Sequence, residues 1–186
     1  MQVIADVERE KYEKVWNNPD YRRISPGRLS VPDFLSWSGG KGSVVDLGCG
    51  TGQAARALFE AGHVHVHMVD HAYNCRDEGI TLPFYQQCLW ELDLPETYDY
   101  GFCCDVMEHI PTGKVDEVLR RIASHCDKVY YRIFLHEDNG KFTDGTLHLT
   151  VRPAEWWLEQ VRKYYDTEDW EKKGMVVTIK AISTVT

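Results

Sequence analysis

Three glycines at alternate positions, Gly48, Gly50 and Gly52, follow directly on the apolar run Ser43-Val44-Val45-Asp46-Leu47. They are followed at once by a helix-forming segment, Gln53 to Glu60. Nothing else in the chain so narrows what it can fold into. A strand, a tight turn and a helix start must succeed one another without a linker, and glycines in the turn let a ligand come close to the backbone. The pattern predicts an α/β fold with a ligand crevice at the carboxyl edge of the first strand.

The glycine spacing selects among such crevices. A dinucleotide fingerprint needs its third glycine where this chain has Gln53, and Gly52 comes one residue early. That argues against a nicotinamide-dependent oxidoreductase. A phosphate-cradling Gly-Lys-Ser/Thr loop is absent. Twenty residues beyond Gly50, a second predicted strand, His63 to Asp70, ends in a carboxylate. An acid at this spacing can accept hydrogen bonds from both ribose hydroxyls. Such charge-assisted bonds contribute roughly 1.5–3 kcal/mol each. A third strand is expected over Leu82–Cys88, followed by Leu89-Trp90, and a fourth over Tyr98–Val106, leading into Met107-Glu108-His109-Ile110-Pro111.

The Asp46-x-Gly-x-Gly-x-Gly turn resembles motif I of the class I S-adenosylmethionine-dependent methyltransferases. The Tyr98-Asp99…Asp105-x-x-Glu108-His109-Ile110-Pro111 segment is similar to the end of that family's fourth strand. The resemblance implies S-adenosyl-L-methionine as cofactor. Asp46 would lie beside its methionine part, and the backbone of Gly48, Cys49, Gly50, Thr51 and Gly52 against its ribose and methionine. Asp70, with His71 next to it, would take the ribose, Leu89 and Trp90 the adenine, and Asp105 the cofactor amine. Trp90 reads equally as a core tryptophan. A further segment, Gly145 to Trp157, looks like a signature of small phage- and prophage-associated bacterial methyltransferase-like proteins. It extends the resemblance over nearly the whole chain without supplying a substrate.

Composition narrows the acceptor. The formal net charge is −8, and a duplex-binding surface needs basic residues to displace counterions. The Asp/Asn-Pro-Pro-aromatic segment of base amino-methylating enzymes is replaced by Asp105-Val106-Met107-Glu108, and no Pro-Cys occurs. Duplex DNA is therefore not expected as a partner, and a small-molecule or glycan-like acceptor of methyl on oxygen or nitrogen is. The chain has no run of about 18 apolar residues, and the segment from Met1 to Glu10 lacks the form of a secretion signal. Six cysteines without CxxC spacing read as reduced thiols of a cytoplasmic protein.

The remaining segments complete the expected architecture. Helices are expected over Val7–Trp16, with Tyr12 and Trp16 on one face, over Val115–His125 and over Ala154–Tyr164. Ser25-Pro26-Gly27 reads as a turn, and His71–Ile80 as a poorly supplied helix. A fifth strand is expected over Lys128–Leu135 and a closing antiparallel pair over Asp166–Trp170 and Met175–Ile182. Together they predict a three-layer Rossmann-like methyltransferase fold: a mostly parallel seven-stranded sheet with a C-terminal antiparallel hairpin and helices on both faces. Residues 1–186 would form one domain, 1–42 a helical cap segment and 43–186 the core.

A protonated acceptor needs a base. His109 and His148 are the candidates, with Glu108 as orienting acid. The alternatives are that Glu108 and His109 cap the following helix and that His148 is a hydrogen-bonded core residue. Arg22 and Tyr21 could hold a substrate carboxylate, although Arg22 also reads as a surface arginine, and Trp156 could line the mouth. His63, His65 and His67 alternate along one strand, where same-face side chains stand about 7 Å apart. No metal site is expected from them. A protein that binds the cofactor without transferring methyl groups is the alternative function.

Overall fold

The structure, a computed structural model, describes residues 4–143 and 145–185. Met1 to Val3 of the N-terminal segment, and both ends of the expected 1–186 domain, lie outside the described residues. Seven strands form one sheet in the order β3-β2-β1-β4-β5-β7-β6. They are β1 (Ser43–Leu47), β2 (His65–Asp70), β3 (Phe84–Gln86), β4 (Tyr98–Cys104), β5 (Cys126–Phe134), β6 (Tyr165–Lys173) and β7 (Val176–Ser183). The first five pair in parallel, and β7 runs antiparallel between β5 and β6. This is the Rossmann-like methyltransferase sheet expected from the sequence. From β1 the chain winds outward through β2 and β3, then returns to β4 on the other side. The connections leaving β1 and β4 therefore part, and a crevice opens above their carboxyl ends.

Strand alternation sorts the apolar residues onto two faces. Val44, Val66, Met68, Phe102, Cys104 and Tyr130 pack with α3 (Pro26–Ser38) and α4 (Gln53–Glu60). Val45, Leu47, Val69, Cys103, Val129 and Tyr131 pack with α5 (Val115–Ala123) and α6 (Ala154–Val161). The neighbouring thiols Cys103 and Cys104 thus serve opposite layers. All six cysteines are free, and all but Cys88 are buried. A first helix, α1 (Ile4–Trp16), buries Tyr12, Val15 and Trp16. Among the described residues, no helix is long and apolar enough to cross a membrane.

The main departure from expectation is α3. Ser25-Pro26-Gly27 is the start of a 13-residue helix rather than a free turn. Pro26 sits in the first helical turn, where its missing N–H costs nothing. Gly27 lets the helix settle on the sheet, since a Cβ there would meet Phe102, Ala54 and Cys104 at 3.4–3.5 Å. Pro32 lies inside the same helix. Asn17–Asp20 ends α1, and the Asn18 side chain then caps the one-turn α2 (Pro19–Arg22). The weak helix over 71–80 is reduced to a single 3₁₀ turn, Tyr73–Cys75.

The sheet edges are short or charged. β3 has three residues. Along β6 nearly every side chain is exposed, including Asp166, Glu168, Asp169, Glu171, Lys172 and Lys173, and its pairing is irregular between Thr167 and Asp169.

Two stability outcomes follow from these contacts. Trp157, fully buried between α6 and the sheet, should cost about 3–5 kcal/mol when replaced by alanine, read as a lower urea midpoint. Asp99 joins β4 to the start of β1, accepting from the Ser43 amide at 2.6 Å and hydroxyl at 2.8 Å. Those two bonds hold its carboxyl below the ordinary value. The stabilisation is present above the ordinary carboxylate range and is lost as pH falls through it. Asp99→Asn should therefore lower stability at neutral pH by about 1 kcal/mol or less, and the gap to wild type should shrink in acid.

Candidate active site

The site begins with the turn between β1 and α4. The amides of Gly48 and Cys49 both donate to the Val69 carbonyl, at 2.8 and 2.9 Å, and Gly52 donates to the Cys49 carbonyl at 2.9 Å. Gly48, Gly50 and Gly52 have φ of 74°, 50° and 76°, the left-handed region that glycine enters freely. Their surroundings exclude a side chain as well. A Cβ on Gly48 would stand 2.4 Å from Val106, one on Gly50 2.9 Å from the Trp16 ring, and one on Gly52 3.0 Å from the Met68 sulfur. Asp70 closes the arrangement, accepting from the Gly50 amide at 3.1 Å and the Ala72 amide at 2.9 Å.

Two pockets open at this edge. The first lies under α1 and is lined by Tyr12, Asp70, His71, Gln87, Leu89 and Trp90. The second extends toward the loop after β5 and is lined by Asp46, Cys49, Gly50, Thr51, Glu108 and His148. Trp16, Tyr21, Gly48, Asp105 and His109 line both and form the wall where they meet. Leu89 and Trp90 are also core residues, so their two readings coincide. Of the residues expected at the cofactor, Gly52 alone lines neither pocket. It caps α4 instead.

Two expected substrate contacts are placed elsewhere. The Arg22 guanidinium donates to the carbonyls of Asn74 and Arg76 at 2.9 and 2.8 Å and pairs with Asp77 at 3.0 Å. Its donors tie α2 to the loop after β2, because carbonyls left free by the missing helix need partners. Trp156 lies under the Arg152 guanidinium and against Trp157 and the core, outside both pockets. Tyr21 does line them, with its ring edge-on to Trp16 and Phe142.

Three acids give the pocket its electrostatic character. Burial pushes Asp46 up to about 7, opposed by the Ala55 amide, and one of its carboxyl oxygens has no partner. Burial also raises Asp105, against the pull of Arg132, to which it is directly paired. Asp105 has φ of 54°, a strained value of the kind that collects at functional sites. Glu108 is fully buried and pushed well above the usual carboxylate range by burial and by Asp105. One of its oxygens accepts from the Phe134 amide at 3.2 Å, and the other is buried without a partner.

The two histidines face this acid. His109 Nδ1 is 3.0 Å from the Leu147 carbonyl and 2.7 Å from the Tyr12 hydroxyl. Burial, with His148 adding to it, lowers its pKa to about 3. His148 Nδ1 donates to the His136 carbonyl at 2.6 Å. A carbonyl only accepts, so Nδ1 of each ring carries the hydrogen when these bonds are made, and Nε2 is left with its lone pair. The loop bearing His148 is tied by Asp138, which accepts from the His148 amide at 2.9 Å, the Thr146 hydroxyl at 2.8 Å and the Leu147 amide.

Sequence reasoning missed Asp138, Arg132 and Gln87, whose surroundings carry no motif. The roofing pair Tyr12 and Trp16 was signalled by its four-residue spacing alone. The histidine spacing argument also needs correction. His63 precedes β2 and bonds Gly42 at 2.8 Å, whereas the rings of His65 and His67 lean together to 4.4 Å and meet Glu96. Strand spacing fixes Cα positions, not ring tips.

Residues 44–128 match the family model of the methyltransferase domain. A curated ubiquinone biosynthesis O-methyltransferase from Rickettsia felis is 27% identical over 145 residues, 67% of this chain. The chain spans 58% of the length of that relative. Among solved structures, the N-methyltransferase NodS from Bradyrhizobium japonicum WM9 is similar, with a TM-score of 0.72 and 11% identity over 95% of this chain and 98% of that one. So is magnesium protoporphyrin IX methyltransferase from Synechocystis PCC 6803, with a TM-score of 0.68 and 18% identity over 94% of each chain. The glycine turn and Asp70 lie within the segment that matches the methyltransferase domain model, in keeping with the enzyme class and cofactor expected from them. Gly48→Ala, which adds a methyl group against Val106 at a left-handed position, should cost at least about 1–2 kcal/mol, measured by denaturant unfolding.

Proposed function

We propose that this chain transfers the methyl group of S-adenosylmethionine to an oxygen or nitrogen of a small-molecule or glycan-like acceptor. The observation that carries the reading is the meeting of the two pockets along Gly48, Asp105 and His109. One pocket has the form of a nucleoside slot, with an acid at the ribose position and apolar residues at the base position. The other opens from the same wall toward polar, ionisable groups. The cofactor fits the residues present: Asp46 has a buried carboxyl oxygen without a partner, and the glycine turn offers a cradle that any Cβ would fill.

The bound sulfonium supplies a methyl group already activated for transfer. What the chain contributes is position. Asp70 is aimed by two backbone amides and can take the ribose hydroxyls. Leu89 and Trp90 flank the adenine, and Asp46 faces the methionine end. Tyr12 and Trp16 roof the slot and exclude water from it. On the acceptor side, the Nδ1 bond to His136 fixes the His148 ring so that Nε2 can receive a proton. His109 and Glu108 stand beside it. The O-methyltransferase relative supports an oxygen acceptor, and the N-methyltransferase neighbour supports the same frame with nitrogen. The free, mostly buried thiols fit a cytoplasmic location. The resemblance of the 145–157 segment to phage- and prophage-associated proteins belongs to this reading and adds no acceptor.

Calorimetric titration tests the proposal. S-adenosylhomocysteine should bind the wild type with micromolar Kd, NAD should give no heat, and Asp70→Ala should weaken binding tenfold or more, about 1.4 kcal/mol. Absence of S-adenosylhomocysteine binding to a folded wild-type protein would overturn it.

A further inference from the structure

The geometry points to a divalent transition-metal site formed by Glu108, His109 and His148 on the acceptor side of the pocket. The inference rests on the methyltransferase reading and sharpens it, because such a cation selects a hydroxyl-bearing acceptor and methylation on oxygen.

One ligand atom from each of the three residues lies within 4.8 Å of the others, close enough for one ion to touch all three after small side-chain adjustments. The set of one carboxylate and two imidazoles suits a first-row divalent ion. The hydrogen bonding around it is what ligands require. His148 gives its Nδ1 hydrogen to the His136 carbonyl and His109 faces the Leu147 carbonyl in the same way, which leaves each Nε2 free to donate its lone pair. Glu108 has one oxygen held by the Phe134 amide and the other buried without any partner. A buried acid with a bare oxygen, beside two imidazoles that touch each other edge to face, lacks the group that would satisfy it. A cation does so, whereas a structural role for Glu108 leaves that oxygen unexplained.

The neighbouring charges are compatible. Arg132 is occupied by Asp105, so the pair adds no net repulsion. Glu108 and a divalent ion leave one positive charge, which an acceptor oxyanion cancels. His109 lines both pockets while Glu108 and His148 line only the second, which puts the ion just beyond the cofactor side of the wall. With the ion in place the His148 Nε2 lone pair is a ligand and no longer a base; an acceptor hydroxyl against the ion loses its proton to solvent more readily instead. Its oxygen then forms the new C–O bond as the sulfonium C–S bond breaks and that electron pair returns to sulfur.

The test is titration of the metal-stripped, full-length protein with Co²⁺, followed by visible absorbance and calorimetry. S-adenosylhomocysteine binding is measured separately without metal. Wild type should take up one Co²⁺ with visible bands of low-symmetry coordination. His148→Ala, a change on a loop, should weaken that binding at least tenfold while leaving S-adenosylhomocysteine affinity within about twofold. Glu108→Gln should do the same if it folds, and His65→Ala, at the other histidine pair, should have no effect. Wild-type protein that binds S-adenosylhomocysteine but takes up no Co²⁺ overturns the metal site and leaves the methyltransferase reading intact. Uptake lost in His65→Ala and kept in His148→Ala overturns it equally. Co²⁺ uptake without S-adenosylhomocysteine binding keeps the metal site and removes the methyltransferase reading.

Discussion

The double use of the Val69 carbonyl is the constraint on which the rest of the site depends. Two successive amides, those of Gly48 and Cys49, converge on it, and the next amide, Gly50, is taken by Asp70. Three consecutive donors can point the same way only if the chain curls tightly, which demands positive φ at glycine. The curl starts α4 at once and pins the end of β1 to the end of β2. It also leaves Asp70 aimed over the turn. The crevice is thus fixed by backbone geometry with a single side chain, Asp70, taking part.

On that frame the protein buries three acids against one arginine, and burial shifts each of them toward its neutral form. Of the three pocket acids, only Asp105 has a cationic side chain of its own. Asp46 and Glu108 each keep a buried oxygen without a partner. Leaving such groups unpaired in a low-dielectric setting is costly. A cation brought against either oxygen would draw that carboxyl back to its charged form.

How much of this could be read in advance depended on distance along the chain. The glycine turn is contiguous, and Asp70 follows at a spacing set by one crossover helix and one strand, so both were legible. The strands were found to within a few residues because buried parallel strands are short apolar runs. Helix α3 was lost because Ser25-Pro26-Gly27 read as a turn. Its formation rests on Pro26 at the helix start and on close packing of Gly27 against Phe102, a tertiary contact. Arg22 could be read only as a surface arginine or an anion clamp, because its carbonyl partners come from a loop more than fifty residues away. Glu108, His109 and His148 were named together from the sequence, but not what holds them together: the loop that returns His148 is tied by Asp138, a residue with no motif around it.

The two ends of the sheet close off one route of association. Three-residue β3 offers little to pair with, and β6 presents acids and lysines along an irregular rim. A second chain cannot extend this sheet by strand addition without burying those charges and straightening the rim. Strand addition is thereby disfavoured at both ends of the sheet.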